Sequence, residues 1–452
     1  MTFPFVSGRL LLGSATLLTT LLSACNSGGD KNATASEGGA TAAAGSVLTA
    51  GTWRGVLSAQ GQEIPFLFDV ATDGGKPTVT LRNGEERLKL DEITTAGDST
   101  TIRLGVFDAA LVVRADGADK LKGAWVKYDA KEPYRVAFSA TKGEQPLFTD
   151  SGTEQGYKLA TEVKDAMKEL TYSVQFTDDQ GESYPAVGIF NIGTIDSANK
   201  STGTFLTTTG DYRYLAGNLV ARNDGTHIML STFDGSHAFL FDGVTSKNPR
   251  LGEFKGHFYS GKSGHETWTA KGNPNAKLPD ANALTGLKPG QKRLDFKFPS
   301  IMEGGSISPT DPKYQGKVVV VQVLGSWCPN CMDETNFLAP WYEQNKQRGV
   351  EIIGLGFERT PDQKLASQKL LKMKQRMNIG YDIAVAGVAN KDSASKALPQ
   401  LAKVLAFPTT IFLDKKGEVR KVHTGFSGPG TGKYYEQEKA EFEKTVAQLL
   451  AE

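Results

Sequence analysis

The chain has 452 residues, with 51 Lys+Arg against 50 Asp+Glu, 22% charged and 39% hydrophobic residues, and only three cysteines. That length suits about three domains, and the near-balanced charge offers no long-range field for nucleic acid or an acidic membrane surface. Three cysteines cannot staple a disulfide scaffold, and their odd number leaves each needing its own account.

At the start, Arg9 precedes an apolar run from Leu10 to Leu22. The run is too short and too rich in Ser and Thr for a spanning helix, which needs about 20 mostly apolar residues. It fits the hydrophobic core of an export signal over residues 1–24. It ends in Leu22-Ser23-Ala24-Cys25, which resembles a bacterial lipobox. The resemblance implies cleavage before Cys25, acylation of its thiol and attachment to a lipid membrane of the cell envelope. Asn26 follows where Asp would often signal inner-membrane retention, which tilts the expectation toward the outer membrane. From Asn26 to Val47, 16 of 22 residues are Gly, Ala, Ser or Thr. Residues 25–48 therefore read as the acylated Cys and a flexible tether, with a reach of roughly 25 Å.

From Gly51 to Gly272 short alternating strands are broken by turn dipeptides such as Asn83-Gly84 and Gly97-Asp98. Such spacing predicts sandwiches or barrels. An internal repeat is also present. Gly84–Asp108 aligns without a gap onto Gly210–Asp234 at an offset of 126, pairing Arg87 with Arg213, Ile102 with Ile228, and Phe107-Asp108 with Phe233-Asp234. Gln60-Gly61 and Pro65 match Gln180-Gly181 and Pro185 at offset 120, and Lys122-Gly123 matches Lys255-Gly256 at offset 133. Two related all-β modules are expected, over 49–145 and 155–272. Their histidines, His227, His237, His257 and His265, lack metal-ligand spacing, so no metal is expected. The Phe-Asp pairs read as strand-end core followed by a turn.

Residues 273–292, with Pro274, Pro279, Pro289 and Gly290, read as an interdomain linker. Beyond them, Val318–Leu324 is nearly all apolar, as in a strand buried on both faces. It leads into Trp327-Cys328-Pro329-Asn330-Cys331 and then a helical stretch. A Cys-x-x-Cys pair that opens a helix has specific chemistry. The helix N-terminus stabilises an anion, so the first thiol ionises below its usual value of about 8.5. Pro329 suits the first turn, where its missing N–H has no intrahelical partner. An exposed Cys328 would attack a substrate disulfide and Cys331 would resolve the mixed disulfide. Competing readings are a zinc half-site, for which only His423 is near, and an inert structural disulfide. A c-type haem site would need His where Met332 stands.

Further along, strands are expected over Val350–Phe357 and Val419–Thr424, and helices over Pro361–Met377 and Tyr435–Leu450. Phe407-Pro408-Thr409 opens another strand. With Trp327-Cys328-x-x-Cys331-x-x-Glu334, this order makes residues 293–452 resemble a thioredoxin-fold domain of the TlpA/ResA-like thiol–disulfide reductase family. The resemblance implies a multidomain protein with an α/β thioredoxin-like fold behind the β modules, acting as a reductase. It implies Cys328, Cys331, Glu334 and a cis Pro408 as the reaction centre, with Trp327, Pro329, Asn330, Phe407 and Thr409 around the substrate. It also implies a helix–strand insertion over Tyr381–Leu405, protein disulfides as substrates, an electron-donating membrane thiol-transfer protein as partner, and no cofactor. The chain departs from the family at Asn336, where a Pro is common; its helix Pro is Pro340.

Gly428-Pro-Gly-Thr-Gly-Lys433 imitates a phosphate-binding loop, but the Walker spacing would need Gly and Ser or Thr where Ser427 and Tyr434 stand. No nucleotide is expected. A thioredoxin-fold peroxidase is the rival enzyme, although Gly325 occupies the place where peroxiredoxins carry Thr or Ser. A third reading makes the β modules a surface-binding device with an accessory redox domain.

Overall fold

The computed structural model describes residues 47–130, 132–149, 168–195, 198–245 and 253–452. The expected signal peptide, Cys25 and nearly all of the tether lie outside them, as does the start expected for the second module. No helix among the described residues is long and apolar enough to cross a membrane.

Nine antiparallel strands form the first module: β1 (Gly51–Ala59), β2 (Gln62–Asp73), β3 (Lys76–Asn83), β4 (Glu86–Leu90), β5 (Ile93–Ala96), β6 (Ser99–Arg103), β7 (Ala109–Ala115), β8 (Lys120–Lys127) and β9 (Tyr134–Lys142). Their order in the sheet is β4-β3-β2-β1-β9-β8-β7-β6-β5. In the second module follow β10 (Lys168–Asp178), β11 (Ser183–Ile195), β12 (Ala198–Thr207), β13 (Gly210–Asp211), β14 (Leu215–Arg222), β15 (Gly225–Phe233), β16 (Ala238–Thr245), β17 (Glu253–Ser260) and β18 (Gly264–Gly272). Here the order is β11-β10-β18-β17-β16-β15-β14-β12-β13, with β11 also pairing β12.

Counting the β11–β12 pairing, every strand pairing of the first module has its counterpart in the second, β1 matching β10 through β9 matching β18. The offsets read from the sequence are therefore those of a shared topology with loops of different length. The modules differ in closure. Pairing of β12 with β14 closes the second sheet into a barrel, whereas their counterparts in the first, β3 and β5, do not pair with each other among the described residues.

The outer face of the second barrel packs into the open first sheet. Strand side chains alternate between faces, and β15 uses both. Ile228 and Leu230 enter the second module's core, while Met229 and Phe233 enter the first module's core beside Phe66 and Trp125. Strand β16 repeats this, with Phe239 and Phe241 in one core and Ala238 and Leu240 in the other. The Phe233 ring lies 4.7 Å from that of Phe66 and 5.3 Å from that of Trp125. Ser231 Oγ donates to the Pro65 carbonyl at 2.6 Å, and Asn83 exchanges two hydrogen bonds with the Phe233 backbone.

The C-terminal region contains a short hairpin, β19 (Phe298–Pro299) and β20 (Ser306–Ile307), then β21 (Val318–Leu324), α1 (Pro329–Asn345), β22 (Val350–Glu358), α2 (Gln363–Arg376), β23 (Asp382–Val388), α3 (Lys391–Ala397), β24 (Thr409–Leu413), β25 (Val419–Thr424) and α4 (Lys433–Ala451). The five-stranded sheet runs β23-β22-β21-β24-β25; β21, β22 and β23 are parallel, and β24 and β25 are antiparallel additions. This is the expected thioredoxin-like arrangement. In the 381–405 insertion the strand precedes the helix, the reverse of the expected helix–strand order, and β23 forms the sheet edge. Along β21, Val318 and Val320 face α1, α2 and α4, and Val319, Val321 and Val323 face α3 and the segment before the sheet.

Residues 273–292 are less a free linker than a docked strap. Ala276 is buried against Val187 and Ile189 of the second module, while Ala402 N–H donates to the Gly286 carbonyl and Val419 N–H to that of Lys292. Helix α2 fixes the first module as well. Arg376 pairs with Asp91 and Glu92, Lys372 with Glu92, and Lys369 with Asp108.

Because Phe233 fills the core of one module from a strand of the other, Phe233→Ala should cost about 3–5 kcal/mol, the range for a truncated core aromatic. A urea titration followed by intrinsic fluorescence reads it; a loss below about 1 kcal/mol would mean the two cores are not coupled through this ring.

Candidate active site

Strand β21 ends at Leu324, and the chain turns through Gly325 into α1. Cys328 is the N-cap of α1, in extended conformation, with Pro329 as the first helical residue. The sulfur of Cys328 accepts a hydrogen bond from Cys331 N–H at 3.2 Å. Cys328 and Cys331 are disulfide-bonded, with Cα atoms 5.3 Å apart, as the motif predicted. Facing them, the Phe407–Pro408 bond is cis, and Cys328 Sγ lies 3.5 Å from the Phe407 carbonyl oxygen.

The turn before the cysteines is pinned by a residue that no motif singled out. The Glu358 carboxylate, at the end of β22, accepts from both Ser326 N–H and Ser326 Oγ at 2.8 Å. Burial pushes its carboxyl up to about 7 against those two bonds. Trp327 donates its indole N–H to the Phe357 carbonyl at 2.8 Å and meets Phe407 edge-on at 5.5 Å. The Arg359 guanidinium covers the indole at 4.7 Å and pairs with Asp129 of the first module.

Glu334 sits one turn beyond Cys331 and is buried rather than displayed on the first turn. The Gln322 amide donates to it at 2.7 Å, and the Thr410 hydroxyl donates to its other oxygen. Gln322 is the one polar residue in the apolar β21 run; it also accepts from Tyr381 Oη at 3.1 Å. Burial pushes the Glu334 carboxyl up to about 7, with the two donors and His423 opposing. A void of about 20 Å³, lined by Glu334, Thr410, His423 and Glu438 among others, has room for one water.

The expectation of an exposed Cys328 is not met: only 5% of the residue is accessible. The cover comes from the second β module. Asn330 Nδ2 donates to the Asp211 carbonyl at 3.0 Å, Arg213 donates to the Pro329 carbonyl at 2.9 Å, and Ser236 Oγ donates to the Trp327 carbonyl at 3.1 Å. What remains is a cleft of about 250 Å³, walled by Trp327, Cys328 and Phe407 on one side and Thr207, His237 and Phe239 on the other. Pro329 and Asn330 also reach it. Thr409 does not offer its side chain there: it is fully buried and donates to the Ala406 carbonyl.

Beside the cleft, one cation gathers acids from all three parts of the chain. Arg213 pairs with Glu86 of the first module, Asp234 of the second and Asp333 of α1. All four are buried. Burial pushes Asp333 up to about 7 despite Arg213, with Asp211 and Glu86 adding to the rise. Asp234 is held down at about 2, against burial, chiefly by His237 and Arg213. Asp211 accepts from Gly428 N–H, so the glycine-rich loop that imitates a phosphate cradle receives a carboxylate of the second module. The four module histidines pair with neighbouring carboxylates or one another, and no cluster fit to hold a metal occurs among the described residues.

Residues 288–440, about a third of the chain, match the Redoxin family model. Thiol-disulfide oxidoreductase ResA of Halalkalibacterium halodurans is 29% identical over 136 residues, covering 30% of this chain and 68% of that one. ResA of Geobacillus kaustophilus is 30% identical over 112 residues, covering 25% of this chain and 57% of that one. Among solved structures, a thiol:disulfide interchange protein of the thioredoxin family from Chlorobium tepidum is 17% identical, covers 39% of this chain and 99% of that one, and has a TM-score of 0.27. The Redoxin match spans the disulfide, the cis proline and the five-stranded sheet. The C-terminal part of the chain thus matches the Redoxin model and is similar to thiol-disulfide oxidoreductases, and two related β modules precede it.

Proposed function

We propose that the protein is an extracytoplasmic disulfide reductase held at a membrane through an acylated Cys25. The observation that carries the reading is the Cys328–Cys331 pair at the N-terminus of α1, beside the Phe407 carbonyl. In the reduced form the helix N-terminus stabilises the Cys328 thiolate. That thiolate attacks a substrate disulfide, one substrate sulfur leaves as a thiolate and takes a proton from water, and a mixed disulfide forms on Cys328. Cys331, giving up its proton, then attacks Cys328 Sγ and expels the second substrate sulfur. Two electrons pass to the substrate, and the Cys328–Cys331 disulfide is left. A dithiol donor, supplied by a membrane thiol-transfer protein, restores the pair. Trp327 and the backbone around Phe407 and Pro408 border the place where the substrate sulfur arrives.

Glu334 is the candidate acceptor for the Cys331 proton. Its folded-state value of about 7 lies above the usual carboxylate range, so below it the group is neutral and above it the group can accept a proton. Resolution of the mixed disulfide then accelerates as pH rises through about 7. In Glu334→Gln that rise should vanish, with a loss of about 10²-fold at about pH 8, the scale of a single proton-transfer group. An unchanged pH profile for the single-turnover resolving step would remove Glu334 from the mechanism.

Trapping tests the main reading. Cys331→Ser should accumulate mixed disulfides on Cys328, recoverable from envelope extracts under non-reducing conditions and released by dithiothreitol. Absence of any covalent adduct, together with no dithiol-dependent disulfide reduction by the intact protein, would defeat it. Growth of the strain in labelled palmitate should place label on the wild-type chain and none on Cys25→Ser.

A further inference from the structure

The second β module does more than support the redox domain. It supplies a wall of the cleft that reaches Cys328, and three of its residues bond directly to the backbone and side chain of Trp327–Asn330. The remaining cleft, about 250 Å³, is the size of a small-molecule pocket or less. Aromatic rings line part of it, with His237 stacked on Phe239 at 4.7 Å across from Trp327 and Phe407. A folded protein cannot bring its disulfide to a sulfur this enclosed, because the flanking main chain has no room beside it. A low-molecular-weight disulfide can.

We infer, resting on the redox reading above, that the second β module is a size filter on the Cys328 site. Docked, it admits small disulfides; undocked at the Arg213 joint, it exposes Cys328 to protein disulfides.

The seam has the make-up of a joint that can part. It is mainly polar: Arg213 to Asp333 and the Pro329 carbonyl, Asn330 to the Asp211 carbonyl, Ser236 to the Trp327 carbonyl, and Gly428 N–H to the Asp211 carboxylate. Such groups find replacement partners in water when they separate. The large apolar contacts of the second module lie elsewhere, in its own core and in the core it shares with the first module; on the redoxin side, among the described residues, it has only the small cluster of Val187, Ile189 and Leu206 with Ala276, Leu278 and Tyr434. Opening the seam therefore leaves those cores intact. Gly210 marks how closely the surfaces meet, since any Cβ there would collide with the Asn330 amide.

In the wild-type protein only the small undocked fraction of molecules can react with a bulky substrate, and the observed rate is the intrinsic rate multiplied by that fraction. The exchange is the same in both states: the substrate disulfide gains two electrons and ends as two thiols, and dithiothreitol returns two electrons to Cys328–Cys331.

The test compares two substrates on the full mature chain, glutathione disulfide and insulin, with dithiothreitol as donor. Two variants open the seam by different means: Arg213→Met removes the cation, and Gly210→Leu wedges the contact without removing a charge. Each should raise the ratio of insulin to glutathione-disulfide reduction by about tenfold or more, which corresponds to a wild-type open fraction below about a tenth. A second reading on reduced wild-type protein needs no variant. Iodoacetamide should label Cys328 readily, and a maleimide carried on a long polyethylene glycol chain should label it much more slowly than it labels Gly210→Leu. If Arg213→Met fails to fold, Gly210→Leu and the labelling pair still decide. Equal ratios in wild type and variants, or equal labelling by small and bulky reagents, would overturn the filter while leaving the redox reading intact. Failure to reduce either substrate in any form would overturn both.

Discussion

A single buried guanidinium organises the region where the three parts of this protein meet. Arg213 contacts Glu86, Asp234 and Asp333, one acid from each part, and donates to the carbonyl of Pro329 between the two cysteines. Taking charges out of water is costly unless they are paired with good geometry. Here the acids outnumber the cation, so burial and mutual repulsion fall on the least compensated of them, and Asp333 is pushed up to about 7. Arg213 itself is held well above its usual range by the same acids, although burial opposes, and it stays charged. Its backbone is equally constrained: φ is +58°, and its N–H donates to the Asp211 carboxylate. The residue cannot turn away without stranding several buried carboxylates, so the position of the second module follows from it.

The repeated module explains how such a joint arose within one chain. Arg87 and Arg213 occupy matching places, yet Arg87 is exposed and bonds only to the nearby Gly84 and Glu86 carbonyls. The Phe107-Asp108 and Phe233-Asp234 pairs have likewise diverged. Asp108 reaches Lys369 on α2, whereas Asp234 turns in toward Arg213 and caps the turn at Ser236 and His237. Both copies point this loop at the redoxin domain, but only the second brings it to the cysteines. The open first sheet and the closed second barrel fit the same division of labour. One copy wraps, and the other is wrapped and presented.

Much of this was legible in the chain. The apolar Val318–Leu324 run gave the central strand, and Cys328-Pro-Asn-Cys331 gave the helix start and its chemistry, because both depend on local spacing. The shared topology of the modules was legible through offsets that change only at loops. The cover over Cys328 was not. Asp234 reads as part of a turn, Arg213 as a repeat position matching Arg87, and nothing local marks Asp211 or Glu86; only tertiary packing brings the four together. Gln322 was visible as a polar interruption but had no named partner until Glu334 was placed beside it. The Pro- and Gly-rich 273–292 stretch read as a linker on composition, whereas its backbone bonds Thr171 of the second module at one end and Gln400, Ala402 and β25 of the redoxin side at the other. The glycine-rich 428–433 loop was rejected as a nucleotide cradle on its spacing, and what its Gly428 N–H holds is a carboxylate of the chain itself, Asp211.

Covering a thiol that opens a helix sets two effects against each other. The helix terminus and the Cys331 N–H favour the thiolate, while burial beneath His237 and Phe239 disfavours any charge. In an uncovered redoxin domain only the first operates. Here the docked module lowers access and also opposes ionisation, so docking and reactivity are coupled through desolvation as well as through contact. A module that lifts away would return water to Cys328 and restore the full influence of the helix terminus. Asp333 lies at the seam and is already poised near neutrality by burial, so parting the surfaces would also let it ionise in water. The same separation therefore exposes the sulfur and favours its charged form. The β module acts on the chemistry of the pair without contributing a group to it.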